Sequence, residues 1–188
     1  MKKLEERIIK EGKIINSDIL NVTSFLNHQI DTNLLKEMSA EVKKIFKESV
    51  TKVLTIEASG IPFACAIAME FNVPLVVAKK GKSLNLSNNL VVTKVYSYTH
   101  KVENEIYLNS DFIKKGDNVL IADDFLASGE ALNGLIDIVL KCQATIVGCV
   151  VEIEKEYQNG GNELRKKGYK VISLASIKEM TNNKIIFN

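Results

Sequence analysis

Apolar positions along this chain follow two alternating rhythms, and their order predicts an architecture. Val53-Leu54-Thr55-Ile56, Pro74-Leu75-Val76-Val77-Ala78, Val119-Leu120-Ile121-Ala122, Thr145 to Ile153 and Val171 to Ala175 are near-continuous apolar runs. Such runs suit strands buried on both faces, as in a parallel sheet. Helical spacings lie between them. One is Leu34, Leu35, Met38, Val42, Ile45 and Phe46, with Asp31 or Thr32 as its cap. Another runs from Ile61 to Phe71, with Pro62 tolerated in the first turn. A third spans Gly129 to Cys142 and carries Leu132, Leu135, Ile136, Val139 and Leu140. Lys2 to Glu11 predicts an amphipathic helix ended by Gly12, Gly160-Gly161 to Lys167 a short helix closed by Gly168, and Lys184 to Phe187 a last edge strand. Alternating strand and helix predicts an α/β fold, a doubly wound and mainly parallel sheet with right-handed crossovers.

Two stretches break the rhythm. Lys79 to Asn109 is polar, with alternating segments near Val91 to Tyr98 and Glu105 to Leu108, and predicts a hairpin outside the main sheet. Lys13 to Asp31 is irregular and holds a polar–aromatic cluster, Ser24-Phe25-Leu26-Asn27-His28-Gln29.

Size and charge narrow the field. A chain of 188 residues fits one domain with a sizeable core. Apolar content of 46% with 26% charged residues is that of a globular protein, and no apolar run reaches membrane-spanning length. A net charge of +2, with Arg7 and Arg165 the only arginines, gives no basic stripe for nucleic acid. Met1 to Glu6 lacks the apolar core of a secretion signal. Cys65, Cys142 and Cys149 sit in apolar stretches without metal-ligand spacing, which predicts reduced core residues in a cytoplasmic protein. His28 and His100 have no accompanying nucleophile motif and read as surface or loop residues.

Ligands of doubly wound sheets bind at the carboxyl ends of the strands. The loops there are Glu57–Gly60, Lys79–Lys82, Asp123–Ala131 and Glu154–Glu156, which places the polar candidates on one rim. The richest reads as buried strand, acidic turn Asp123-Asp124, small loop Ala127-Ser128-Gly129 and helix. A helix N-terminus offers free N–H groups and partial positive charge, a natural phosphate seat. Ser128 can cap the helix or donate to a phosphate, and Gly129 admits close approach. Carboxylates beside that seat make sense if a sugar lies between, with its diol on Asp123 and Asp124 and its 5′-phosphate in the loop. Glu57-Ala58-Ser59-Gly60 reads equally as a diphosphate loop assisted by Ser59 or as a bare strand-to-helix turn. Lys79, Lys80 and Lys82 are either a solvated run or cations for a leaving group of growing negative charge.

The string Val119 to Ala131 resembles the 5-phosphoribosyl pyrophosphate (PRPP) signature of the type I phosphoribosyltransferases: four apolar residues, two acids, a small-residue phosphate loop. With Ser24 to Gln29, Thr55 to Gly60, Asp123 to Ala127 and Ile153-Glu154-Lys155, the likeness to the xanthine-using bacterial members runs nearly end to end. Ser128 stands where those members often carry Asn. The resemblance implies a phosphoribosyltransferase fold with a flexible hairpin hood over 79–109 and a base-covering hood within 1–48. It implies PRPP contacts from Ala127, Ser128, Gly129, Glu130, Ala131, Ser59, Lys80 and Lys82, and xanthine contacts from Leu20, Asn27, Phe125 and Lys155. Read by themselves, Asn27 is a loop cap and Lys155 a salt-bridge partner for a neighbouring glutamate; the resemblance is what turns both toward the base. The resemblance further implies Mg²⁺ held mainly through PRPP, a homodimer, and purine salvage yielding XMP. Hypoxanthine or guanine as the base, or a PRPP-sensing regulator without catalysis, are the competing expectations.

Overall fold

A computed structural model describes residues 1–16, 18–81, 89–97, 102–181 and 184–188. The expected rhythm is realised. The elements are α1 (Lys2–Glu11), β1 (Lys13–Asn16), β2 (Ile19–Asn21), a π-helical turn (Thr23–Asn27), α2 (Thr32–Ile45), β3 (Lys52–Ile56), α3 (Ile61–Phe71) and β4 (Leu75–Ala78). They continue as β5 (Leu90–Ser97), β6 (Val102–Asn109), β7 (Asn118–Leu126), α4 (Glu130–Lys141), β8 (Thr145–Lys155), a 3₁₀ turn (Glu156–Gln158), α5 (Gly160–Lys166), β9 (Val171–Thr181) and β10 (Lys184–Phe187).

Six strands form the central sheet in the order β10-β9-β8-β7-β3-β4. All neighbours pair in parallel except β10, which runs antiparallel to β9 at the edge. From β3 the chain steps outward to β4, and from β7 it steps the other way to β8. The order therefore reverses between β3 and β7, where an open sheet leaves a crevice for ligands.

Each face of the sheet is covered. Leu4 and Ile8 of α1, Leu34, Met38 and Val42 of α2 and Phe63, Ala64 and Ile67 of α3 pack on Leu120, Ala122 and Val150. On the other face Leu132, Leu135, Ile136 and Val139 of α4, with Leu164 of α5, pack on Val119, Ile121, Cys149 and Val151. The continuous apolar runs follow directly from burial on both sides. Asp31 caps α2, accepting from the N–H groups of Asn33 and Leu34, and Arg7 pairs with the same carboxylate at 3.0 Å.

β5 and β6 form their own antiparallel hairpin, in register from Leu90↔Asn109 to Ser97↔Val102, as expected. Among the described residues it bridges to the end of β4 at Lys79↔Tyr107, packs Ile106 and Leu108 into the core on that face of the sheet, and rests on α4. Gly134 makes that rest possible: a β-carbon there would stand 2.4 Å from Val95 and 2.9 Å from Ile106. Thr93 donates to Asp137 at 2.5 Å across the same contact.

Three expectations need correction. The acidic pair is not a turn, because β7 continues through Asp123 and Asp124 to Leu126, paired with β8 to the register Leu126↔Glu154. The irregular stretch before α2 is a small hairpin, β1–β2, followed by the π-helical turn. Cys65 is exposed on α3, because it falls on the outer side of a helix whose apolar residues run nearly all round it; only Cys149 is fully buried.

Candidate active site

The site starts from the end of β7. Asp123 pairs with Val151 and Phe125 with Ile153, so Asp124 lies beside Glu152 on β8. Asp123 is 5% exposed and accepts from the N–H of Asp124 at 3.0 Å. Burial, then the neighbouring Asp124 charge, holds its pKa well above the usual carboxylate range, while that N–H and the Lys80 charge pull the other way. Glu152 is 2% exposed and is pushed up by burial and then by Asp124 and Asp123. Three carboxyls thus gather at one strand end, and burial together with their mutual repulsion raises the pKa of two of them.

Gly60 closes the crevice from the β3 side. A β-carbon there would lie 2.6 Å from Asp123 Oδ1 and 2.7 Å from Thr55 Oγ1. The Thr55 hydroxyl is buried and has no hydrogen-bond partner among the described residues. A cis peptide bond joins Glu57 to Ala58, and Ser59 is exposed in the same turn. Glu57 reaches across to the end of β4, accepting from Lys79 Nζ at 3.0 Å and from the Lys80 N–H at 2.7 Å. Burial raises the Glu57 pKa, but these donors and the two lysine charges outweigh it and the net shift is downward. Lys80 itself is exposed at the rim. Lys82 lies outside the described residues, as do His100 and Tyr98.

The loop after β7 is Ala127-Ser128-Gly129, with Glu130 and Ala131 opening α4. The cap is Gly129, at φ 89, and the expected serine cap is not made: the Ser128 hydroxyl bonds the Glu130 carboxylate instead. A left-handed cap position favours glycine, since a β-carbon is strained there. The first turn of α4, with its free amides, opens at Glu130, five residues beyond Phe125 and just past the carboxyl end of β7. Glu130 Oε1 is buried without a partner among the described residues.

The fourth wall is the end of β8. Lys155 Nζ lies 5.5 Å from the centroid of the Phe125 ring and donates to the Asp18 carbonyl at 2.5 Å. Burial lowers its pKa, with the Asp18 charge opposing. Its described partners are thus an aromatic face and a main-chain oxygen. Phe125 is half-buried against the core that holds Leu20, Phe25 and Leu26. Leu20 commits its side chain to that core. Asn27 is exposed at the end of the π-helical turn, directly after buried Leu26. Through the Lys155–Asp18 contact the N-terminal layer therefore approaches the same strand ends as the acids and the 127–131 segment.

Strand pairing brings together Asp123, Asp124, Phe125 and Lys155, with the 127–131 segment following in the chain and Lys80 and Ser59 across the crevice. Sequence reading missed Glu152, whose single carboxyl inside an apolar run is its only signal. It also missed the Glu154–Arg165 ion pair, and placed Glu154 on the open rim although it is 1% exposed. The Gly160-Gly161 doublet, which predicts a helix start, is also a signal of close packing.

A model of the phosphoribosyl transferase domain matches residues 21–186. The chain belongs to the phosphoribosyltransferase family, and its fold is that of the family: the adenine phosphoribosyltransferase of Giardia lamblia, solved with 9-deazaadenine, superposes with a TM-score of 0.78 at 20% identity, over 92% of this chain and 97% of that one. That of Rhodothermus marinus superposes with a TM-score of 0.76 at 22% identity, over 94% and 100%. Sequence likeness is higher to xanthine phosphoribosyltransferases. Those of Lacticaseibacillus casei (strain BL23) and Bacillus cereus (strain AH187) are each 47% identical over the whole of this chain, covering 98% and 95% of their own lengths.

Proposed function

We propose that this protein is an enzyme of purine salvage that transfers the 5-phosphoribosyl group of PRPP to xanthine, giving XMP and pyrophosphate. The observation that carries this reading is the single rim on which Asp123-Asp124, the Ala127–Gly129 loop and the Phe125–Lys155 pair adjoin. The family, and the xanthine-using relatives at 47% identity, support it.

Asp123 and Asp124 hold the ribose diol. The loop amides, with Ser128 and the first turn of α4 (Glu130, Ala131), hold the 5′-phosphate. Ser59 and Lys80 face the diphosphate, and Lys82 is assigned there from its place in the chain. Phe125 packs on the purine face, and Lys155 donates to a carbonyl of the oxopurine. Asn27 and the Leu20 main chain close over the base. Xanthine offers carbonyls at C2 and C6, which match donors from Asn27 and Lys155, whereas the exocyclic amine of adenine leaves the lysine without an acceptor. As the C1–O bond of PRPP breaks, the carboxylates stabilise the cationic sugar and the lysines the departing diphosphate.

No group of three metal-ligating side chains occurs among the described residues. The acidic side chains at the rim offer oxygen ligands, which suits a hard cation taking most of its ligands from substrate. Asp123 and Asp124 would lie beside Mg²⁺ held mainly through PRPP, which would neutralise charge on the diphosphate. We assign the working form as a cytoplasmic homodimer.

The test is a base panel with PRPP and Mg²⁺, reading pyrophosphate release. Xanthine is expected to be the preferred acceptor. A strong preference for hypoxanthine overturns the Asn27–Lys155 argument, and absence of release with every base overturns the assignment.

A further inference from the structure

Helix α5 and the phosphate loop are joined far more closely than chain connectivity requires. The Gly160 N–H donates to the Ala127 carbonyl at 3.1 Å. A β-carbon on Gly160 would stand 2.3 Å from that oxygen, 2.4 Å from the Ser128 carbonyl carbon and 2.6 Å from the Gly129 nitrogen. At the other end of α5, Lys167 Nζ donates to Asn133 Oδ1 at 3.0 Å, and Asn133 Nδ2 donates to the Gly129 carbonyl at 2.8 Å. The first and last carbonyls of the loop are thus both drawn back. In a trans peptide the N–H points opposite to its carbonyl. Fixing the Ala127 and Gly129 carbonyls therefore aims the Ser128 and Glu130 N–H groups away from these holders, toward the open side of the loop.

What holds α5 itself is a charge pair between the exposed Arg165 and the buried Glu154. Arg165 Nη1 and Nη2 meet Glu154 Oε1 and Oε2 at 2.8 Å and 2.6 Å, a two-pronged contact. Arg165 Nε also donates to the Val171 carbonyl at 3.2 Å, and the Ser173 hydroxyl completes the Glu154 carboxylate. Gly161 lets the helix settle on this pair, since a β-carbon there would fall 1.9 Å from Glu154 Oε1. Glu154 in turn immediately precedes Lys155, on the strand that walls the base side of the site.

We propose that α5 clamps the phosphate loop, with Arg165–Glu154 as the positioning pair that sets the clamp against the base-side strand. The proposal rests on the phosphate-seat reading of the loop. Arg165 and Gly160 touch no substrate; they act through the loop.

Steady-state kinetics with PRPP and with xanthine varied separately, together with the ³¹P resonance of bound XMP, test it. Arg165→Gln and Gly160→Ala are expected to raise KM for PRPP by roughly tenfold to a hundredfold, as a misplacement of about 1 Å does, with KM for xanthine changing far less. The bound phosphate resonance moves toward that of free XMP. Arg165→Lys recovers only part, because an ammonium cannot make the forked contact. Lys167→Met, on the surface and safe for folding, gives a rise of about twofold to threefold. Lys166→Met, which breaks only the exposed pair with Glu163, changes nothing. Arg165→Gln and Lys167→Met with wild-type KM for PRPP and an unmoved resonance overturn the clamp, as do losses equal for both substrates that follow the fall in Tm. A wild-type protein inert to PRPP with every base overturns the phosphate seat itself, whereas an active wild type with indifferent variants overturns the clamp alone.

Discussion

Lys155 stands over Phe125, its ammonium 5.5 Å from the ring centroid, although the two come from different strands separated by a full helix. The contact exists because β7 pairs with β8 to its own last residue, Leu126 against Glu154, one residue before Lys155. A cation over an aromatic face and beside a main-chain oxygen leaves donor capacity for a carbonyl of a stacked ring.

Lys155→Met is therefore expected to lower kcat/KM for xanthine. Loss of one hydrogen bond from a charged donor corresponds to about 1.5–3 kcal/mol, or roughly tenfold to a hundredfold. KM for PRPP should stay close to wild type. Equal loss for both substrates would contradict a base-specific role.

Asp123 and Asp124 separate chemistry from folding. Asp123→Asn keeps the shape of a buried side chain whose charge is costly to bury, so Tm should hold or rise. Activity should fall by about a hundredfold or more in both Asp123→Asn and Asp124→Asn, as expected when charged partners of a developing cation are removed. Near-native turnover of both variants, measured by pyrophosphate release, would refute the diol-holding role.

Glu152 predicts a pH dependence of stability. Its native pKa lies well above the ordinary value of 4.5, so above that pH the unfolded chain releases a proton that the native state keeps. Stability contributed by this group is complete below about 4.5 and declines as pH rises toward its native pKa. Glu152→Gln removes that decline. Thermal melts should show the variant above wild type at pH 8, with the difference closing near pH 4. A constant difference across that range would argue against a protonated native Glu152.

Gly60→Ala drives a methyl group against Asp123 Oδ1 and Thr55 Oγ1. Overpacking of this kind costs about 1–3 kcal/mol. The acidic pair should shift with it, so kcat/KM falls further than a matched Ala64→Ser change on the same helix, compared at temperatures well below either Tm.

Much of this architecture could be read from the chain, and the reasons are local. The run Val119–Ala122 and the spacing of Leu132, Leu135, Ile136 and Val139 report burial against neighbours, and burial is what periodicity encodes. The acids of β7 were misplaced into a turn because carboxylates are rare in strands. Here backbone pairing with β8 carries them, and hydropathy has no record of that pairing. Glu154 and Arg165 face each other across a 3₁₀ turn and α5, a relation set by three-dimensional packing rather than by spacing. The β1–β2 hairpin and π-helical turn are held by contacts with β8 and the core, Lys155 to Asp18 and buried Phe25 and Leu26 among them, so the local sequence alone reads as irregular.

The hairpin β5–β6 sits apart from the strands that carry the rim, attached by the Lys79↔Tyr107 bridge and by its rest on α4. Such an attachment divides the hairpin's tolerance to change: its outward side chains can vary without re-registering any strand of the central sheet, whereas Ile106 and Leu108 are bound to the shared core.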